Sequence, residues 1–194
     1  MSNPTAGIGD PYWYEWSVGL DYIIQMLNPD KEIKSVTLQS NDSQGWDDVI
    51  VEFINGRKKF IQVKHSRDKG SLTYGDLVSK NQKGESLLSY QAKQWKNAGS
   101  NQKDSFIIHT NKCMGAQKHS ERPPLEDFWS HMKLYLSKNS DFSKYTFNED
   151  FDTNIKDEWF GAIEKLNTEE QYKFLSQLEI KTSQPNLEDL EKSL

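Results

Sequence analysis

Two apolar runs joined by Asn55-Gly56 constrain this chain more than any other feature. Val49-Ile50-Val51-Glu52-Phe53-Ile54 precedes the pair, and Lys59-Phe60-Ile61-Gln62-Val63-Lys64 follows it. Asn and Gly both accept positive φ, which tight hairpin turns require, so residues 47–65 read as an antiparallel β-hairpin. Side chains two apart on a strand share a face. Gln62 and Lys64 therefore project together, with Ile61 and Val63 on the other side. Asp47-Asp48 stands at the entry of the partner strand, so folding brings carboxylates and an ammonium to one end of the hairpin.

The turn decides which acid joins Gln62 and Lys64. A two-residue Asn55-Gly56 turn pairs Ile54 with Arg57 and hence Asp47 with Lys64, putting Asp47 on the site face. One more loop residue, or a bulge, exchanges it for Asp48.

Around the hairpin the pattern alternates between helix and strand. Trp13, Trp16, Leu20, Ile23, Ile24 and Leu27 recur at helical spacing, which predicts a first helix closed by Asn28-Pro29, with that stripe in the core and Glu15 beside it. By the same spacing Trp13 and Trp16 pack inward, leaving Tyr12 and Tyr14 freer. Ile33 to Gln39 alternates as a strand, Ile33, Ser35, Thr37 and Gln39 on one face, Lys34, Val36 and Leu38 on the other. Two helices, broken near Gly84, are expected between Leu72 and Ala98. Ser105 to Thr110 is a short buried strand in which His109 reads as a hydrogen-bonded core residue. A helix follows from Leu125 to Leu136 after Pro123-Pro124. Beyond Ile155 come helical patterns at Trp159, Phe160, Ile163 and Leu166, and at Tyr172, Phe174, Leu175 and Leu178. This order predicts an α/β fold, a mixed sheet around the central hairpin flanked by helices, as residues 1–140, with a C-terminal helical extension over 141–194 leading to further domains.

Net charge places the partner. The 194 residues carry −5, but residues 141–194 hold thirteen Asp and Glu against six Lys, leaving the first 140 at +2. Within them Arg57, Lys58, Lys59, Lys64, Arg67 and Lys69 face only Asp68, a run suited to phosphates, although such a run also serves simply to solvate a surface. One cysteine, Cys113, makes no internal disulfide and reads as a structural thiol, and four histidines without Cys-x-x-Cys spacing make no zinc site. No apolar run reaches the roughly 18 residues of a membrane span, and Met1 to Asp10 lack a signal-peptide pattern, so a cytoplasmic protein with no membrane partner is expected.

The hairpin end suits phosphodiester hydrolysis, which needs a hard divalent cation held by oxygen ligands to polarise the phosphate and activate water. An Asp supplies an anionic ligand, the Gln62 amide oxygen and the Val63 carbonyl extend the shell, and Glu15 of the first helix is a second acidic candidate. Lys64 would orient or deprotonate the attacking water and offset charge on the phosphate. His65, Arg67, Lys69 and Lys58 are the candidate nucleic-acid contacts.

Gly45-Trp46-Asp47-Asp48-Val49-Ile50-Val51 followed by Ile61-Gln62-Val63-Lys64-His65-Ser66 resembles the Asp…Gln-x-Lys variant of the PD-(D/E)xK nucleases. The similarity is to the endonuclease domain of CD-NTase-associated effectors of bacterial antiphage systems, also fused to antiviral STAND ATPases, and covers roughly residues 8–135. The family pattern favours Asp48, the acid abutting the strand. The resemblance implies a restriction-endonuclease-like fold and catalysis through Asp48, Gln62 and Lys64. It further implies Mg2+ (or Mn2+)-dependent cleavage of double-stranded DNA with little sequence specificity, and self-association through domains beyond residue 194. The alternative is a nuclease-fold module without chemistry, serving nucleic-acid binding or protein assembly.

Overall fold

The computed structural model of the chain describes residues 10–39, 48–66, 70–99, 103–116, 121–139 and 142–185. In chain order the elements are α1 (Asp10–Met26), β1 (Ile33–Leu38), β2 (Val49–Phe53), β3 (Lys58–Lys64), β4 (Ser71–Leu72), α2 (Tyr74–Val78), α3 (Leu87–Asn97), β5 (Ser105–Thr110), β6 (Cys113–Met114), α4 (Leu125–Lys138), α5 (Asp152–Asn154), α6 (Thr168–Gln177) and β7 (Leu178–Lys181). The chain divides into two compact units. Residues 1–70, 103–113 and 179–194 form one, and residues 71–102 and 114–178 the other, so the stretch from 141 contributes to both.

The first unit is built on a five-stranded sheet in the order β1-β2-β3-β5-β7. β1, β2 and β3 run antiparallel and β3 pairs parallel with β5, as the α/β reading anticipates. Val49, Val51, Ile61, Val63 and Ile107 are buried on one face against Tyr14 and Val18 of α1. Each such side chain contributes about 1.5–3 kcal/mol by leaving water. Gly19 lets the helix approach closely, because a Cβ there would meet the Leu38 Cδ2 atom at 2.1 Å.

That packing reverses the expected orientation of α1. The helix buries Tyr14 and Val18, with Tyr22 packed against the same cluster, while Trp13, Trp16, Leu20, Ile23, Ile24 and Leu27 lie exposed. Two apolar stripes share the helix, and the sheet takes the slimmer one that contains Gly19. Tyr14, expected to be free, is fully buried, and its hydroxyl donates to the Pro185 carbonyl at 2.9 Å.

Two irregularities set the register. In β1 the pairing shifts between Ile33 and Ser35, so Ile33 joins Val36 and Leu38 against the core, where strict alternation separates them. In the hairpin, Phe53 pairs across to Arg57, the Phe53 N–H donating to the Arg57 carbonyl at 2.9 Å. Ile54-Asn55-Gly56 is thus a three-residue loop, closed by Gly56 at φ +80°.

In the second unit Thr73 and Asp76 form a capping box on α2, and Ser86 and Ser89 one on α3, with Gly84 at φ +76° between the helices. Ile155–Phe160 is a π-helical segment whose Trp159 is fully buried, 4.8 Å from the Phe128 ring and 5.7 Å from Tyr74 between centroids. Lys133 donates to the carbonyls of Leu175, Ser176 and Leu178 at 3.0–3.3 Å, satisfying acceptors at the end of α6. There the chain turns into β7, so Leu178, read as helical from its spacing, begins a strand. Cys113, read as a structural thiol, is exposed. Among the described residues no helix is long and apolar enough to cross a membrane.

Candidate active site

The three-residue loop sets which residue lies opposite Gln62. With Val49 opposite Ile61, the next step of the ladder sets Asp48 opposite Gln62 and on the same face. Both side chains lie away from α1, and Lys64, two residues on, is exposed on the same face. Asp47, the other candidate, lies outside the described residues.

The Asp48 carboxylate closes the end of the ladder. Its Oδ2 accepts the Val63 N–H at 2.6 Å and also the Gln62 amide N–H. In an extended strand the N–H and C=O of one residue point to the same neighbour. The Val63 carbonyl therefore faces the same side as Asp48, which puts the expected backbone oxygen on the site.

Glu15 joins through a residue that sequence reading did not single out. β1 is followed by Gln39, which takes a left-handed φ of 49°. Its N–H donates to the Asp48 carbonyl at 3.0 Å, and its Nε2 donates to Glu15 Oε2 at 3.3 Å. Gln39 is thus tied at once to both acidic candidates. A polar residue at a strand end was the only signal available for this role.

A second unforeseen residue steadies the other side. Asn111, just after β5, accepts the Ser66 N–H through Oδ1 at 3.0 Å and donates Nδ2 to the Ser66 carbonyl at 2.6 Å. This reciprocal pair pins the chain two residues beyond Lys64. His65, between them, lies 4.6 Å from the Tyr14 ring between centroids.

Tyr14 and His109 line the α1 side of the same sheet end. Burial pushes the Tyr14 hydroxyl up to about 12. Burial, reinforced by the nearby Lys181 charge, pushes the His109 imidazole down to about 4, so the ring is neutral. Its Nε2 is buried without a partner among the described residues, where a hydrogen-bonded core histidine was expected.

Not every expected residue is gathered here. Lys58 begins β3, six residues before Lys64 and so roughly 20 Å away along the strand, opposite Glu52. Arg67 and Lys69 lie outside the described residues.

The oxygens that could serve a hard cation here are the Asp48 and Glu15 carboxylates with the Gln62 amide and Val63 carbonyl. Among the described residues no three His, Cys, Asp or Glu side chains converge on one point. Among the described residues, a cation there would thus draw on neutral oxygens beside at most two acids, a composition usual for Mg2+, which retains several waters. Neither models of known protein families nor curated proteins match the chain.

Proposed function

We infer that this chain is a metal-dependent endonuclease domain that hydrolyses phosphodiester bonds of double-stranded DNA. The observation that carries the reading is the junction of Asp48, Gln62 and Val63 at a strand end, with Lys64 exposed on the same face. Asp48, Gln62, Val63 and Glu15 would hold Mg2+ or Mn2+, which when bound polarises a phosphate and lowers the pKa of water. Lys64 faces the phosphate and offsets the charge that grows on its oxygens as water adds. Gln39 keeps Glu15 and the Asp48 backbone in fixed relation, and Asn111 holds the turn after Lys64, so the groups are set before substrate arrives. The resemblance of the Asp…Gln-x-Lys residues to antiphage effectors gives the setting, a cytoplasmic defence protein of which this is the nucleolytic part.

Supercoiled plasmid incubated with the protein and Mg2+ or Mn2+, with EDTA as control, tests the reading. Metal-dependent nicking and linearisation, lost in Lys64→Ala, are expected. Equal cleavage by that variant would remove Lys64 from the chemistry.

One observation favours a second reading. The Gln62 amide turns its nitrogen to Asp48 and so engages the oxygen that a cation would need. A nuclease-fold module that binds DNA without cutting it would show salt-dependent duplex binding and no metal-dependent cleavage.

A further inference from the structure

Helix α1 carries two apolar stripes, and the sheet covers only one. The other consists of Trp13, Trp16, Leu20, Ile23 and Leu27, spaced three, four, three and four residues apart, with Ile24 and Met26 on its flank. That 3-4 alternation is the spacing by which one helix packs its side chains into the gaps of another.

Size and charge select the partner. Exposure is 60% at Trp13, 50% at Trp16, 82% at Leu27 and between 38% and 42% at Leu20, Ile23, Ile24 and Met26. Together these present on the order of 700 Å² of apolar surface, more than a typical monomer leaves in one patch and close to the ~800 Å² each partner gives to a stable complex. The positions flanking the seam are Ser17, Gly19, Ile24 and Met26, all uncharged, so nothing there repels a like helix or attracts a charged one. Asp21 and Gln25, hydrogen-bonded to each other at 2.7 Å, form a polar border to one side.

The stripe is also self-complementary. Its first half is bulky, with Trp13 and Trp16 edge to face at 5.9 Å between centroids, and its second half is slim. Laid antiparallel on its own copy, the tryptophan half of one helix meets the Ile23 and Leu27 half of the other, and Leu20 falls at the centre. A two-fold contact needs one surface that matches itself, and this stripe does.

We propose that α1 pairs antiparallel with α1 of a second copy of this chain, about a two-fold axis at Leu20, to form a dimer. Sedimentation velocity over a concentration series should show the wild-type chain moving from monomer to dimer. Ile23→Glu should remain monomeric throughout. Its circular dichroism and its melting temperature at the dilute end should equal those of the wild type, because Ile23 is exposed in the monomer. In a Cys113→Ser background, Leu20→Cys should cross-link to a covalent dimer under mild oxidation, while Leu134→Cys, on the exposed side of α4, should not. A wild type that stays monomeric overturns the proposal, as does an Ile23→Glu dimer. A sharply lower melting temperature for Ile23→Glu would show instead that this chain covers its own stripe. A wild-type dimer whose Leu20→Cys form does not cross-link overturns the antiparallel arrangement.

Discussion

The Asp48 carboxylate accepts the backbone N–H of Val63 at 2.6 Å, so an acidic side chain occupies a place that a neighbouring strand would ordinarily fill. The proposed ligand is therefore also part of the scaffold, and its two roles can be separated by substitution.

Asp48→Ala removes both the charge and the acceptor. Leaving the Val63 donor without that partner costs about 1–3 kcal/mol, and each kcal/mol lowers the melting temperature of a chain this size by roughly 2–4 °C. Asp48→Asn keeps an oxygen that can accept the bond but loses the charge. Plasmid cleavage should vanish in both, while a clear fall in melting temperature should be confined to Asp48→Ala. Undiminished cleavage by Asp48→Asn would exclude an ionic role for this residue.

Gln39 is held in a conformation that glycine adopts without strain. Gln39→Gly keeps the N–H that bonds the Asp48 carbonyl and removes the side chain that bonds Glu15. Thermal stability should hold or rise, offsetting part of a strain of about 1 kcal/mol, while cleavage drops as Glu15 loses its tether. A variant with unchanged cleavage would show that Glu15 needs no such positioning.

His109 makes stability depend on acid. Its imidazole loses protons near 6.5 in the unfolded chain and near 4 in the folded one, so unfolded chains bind the extra proton between those values. The neutral ring thus adds stability that is complete above pH 6.5 and is lost as pH falls toward 4, on the order of 3 kcal/mol. Urea midpoints measured across that range should fall more steeply for the wild type than for His109→Leu. Parallel curves would show that His109 does not titrate in this way.

Tyr14 links α1 through its hydroxyl to Pro185, four residues beyond β7. Tyr14→Phe should cost about 0.5–1.5 kcal/mol for the bond to Pro185, and Tyr14→Ala about 3–5 kcal/mol because a cavity adds to it. Chemical denaturation measures both. A neutral Tyr14→Phe would show that the bond contributes nothing net.

Local patterns with strong turn chemistry were legible. The Asn55-Gly56 hairpin, the helix break at Gly84 and the Ser105–Thr110 strand stand where the residues put them. What could not be read was any choice between alternatives of equal local merit. Both stripes of α1 have helical spacing, and only docking on a sheet favours the slimmer one, whose Gly19 permits close approach. Asp47 and Asp48 are adjacent and chemically identical, and a single loop residue separates the two outcomes. Leu178 suits either a helix or a strand, and Lys133, forty-five residues away in sequence, helps end the helix before it. Gln39 and Asn111 escaped notice because amide side chains at strand ends are common, and only contacts distant in sequence give them roles.

The hairpin loop lies about 20 Å from Gln62, with the five residues 57–61 between them, yet its length governs what surrounds that amide. Adding or removing two residues at Ile54-Asn55-Gly56 would keep every side chain on its own side, whereas a change of one would turn the acid beside Gln62 to the opposite surface unless a bulge absorbed it. Odd-numbered insertions at this remote, solvent-facing tip are therefore expected to be as damaging to the site as replacing its acid, and even-numbered ones to be tolerated.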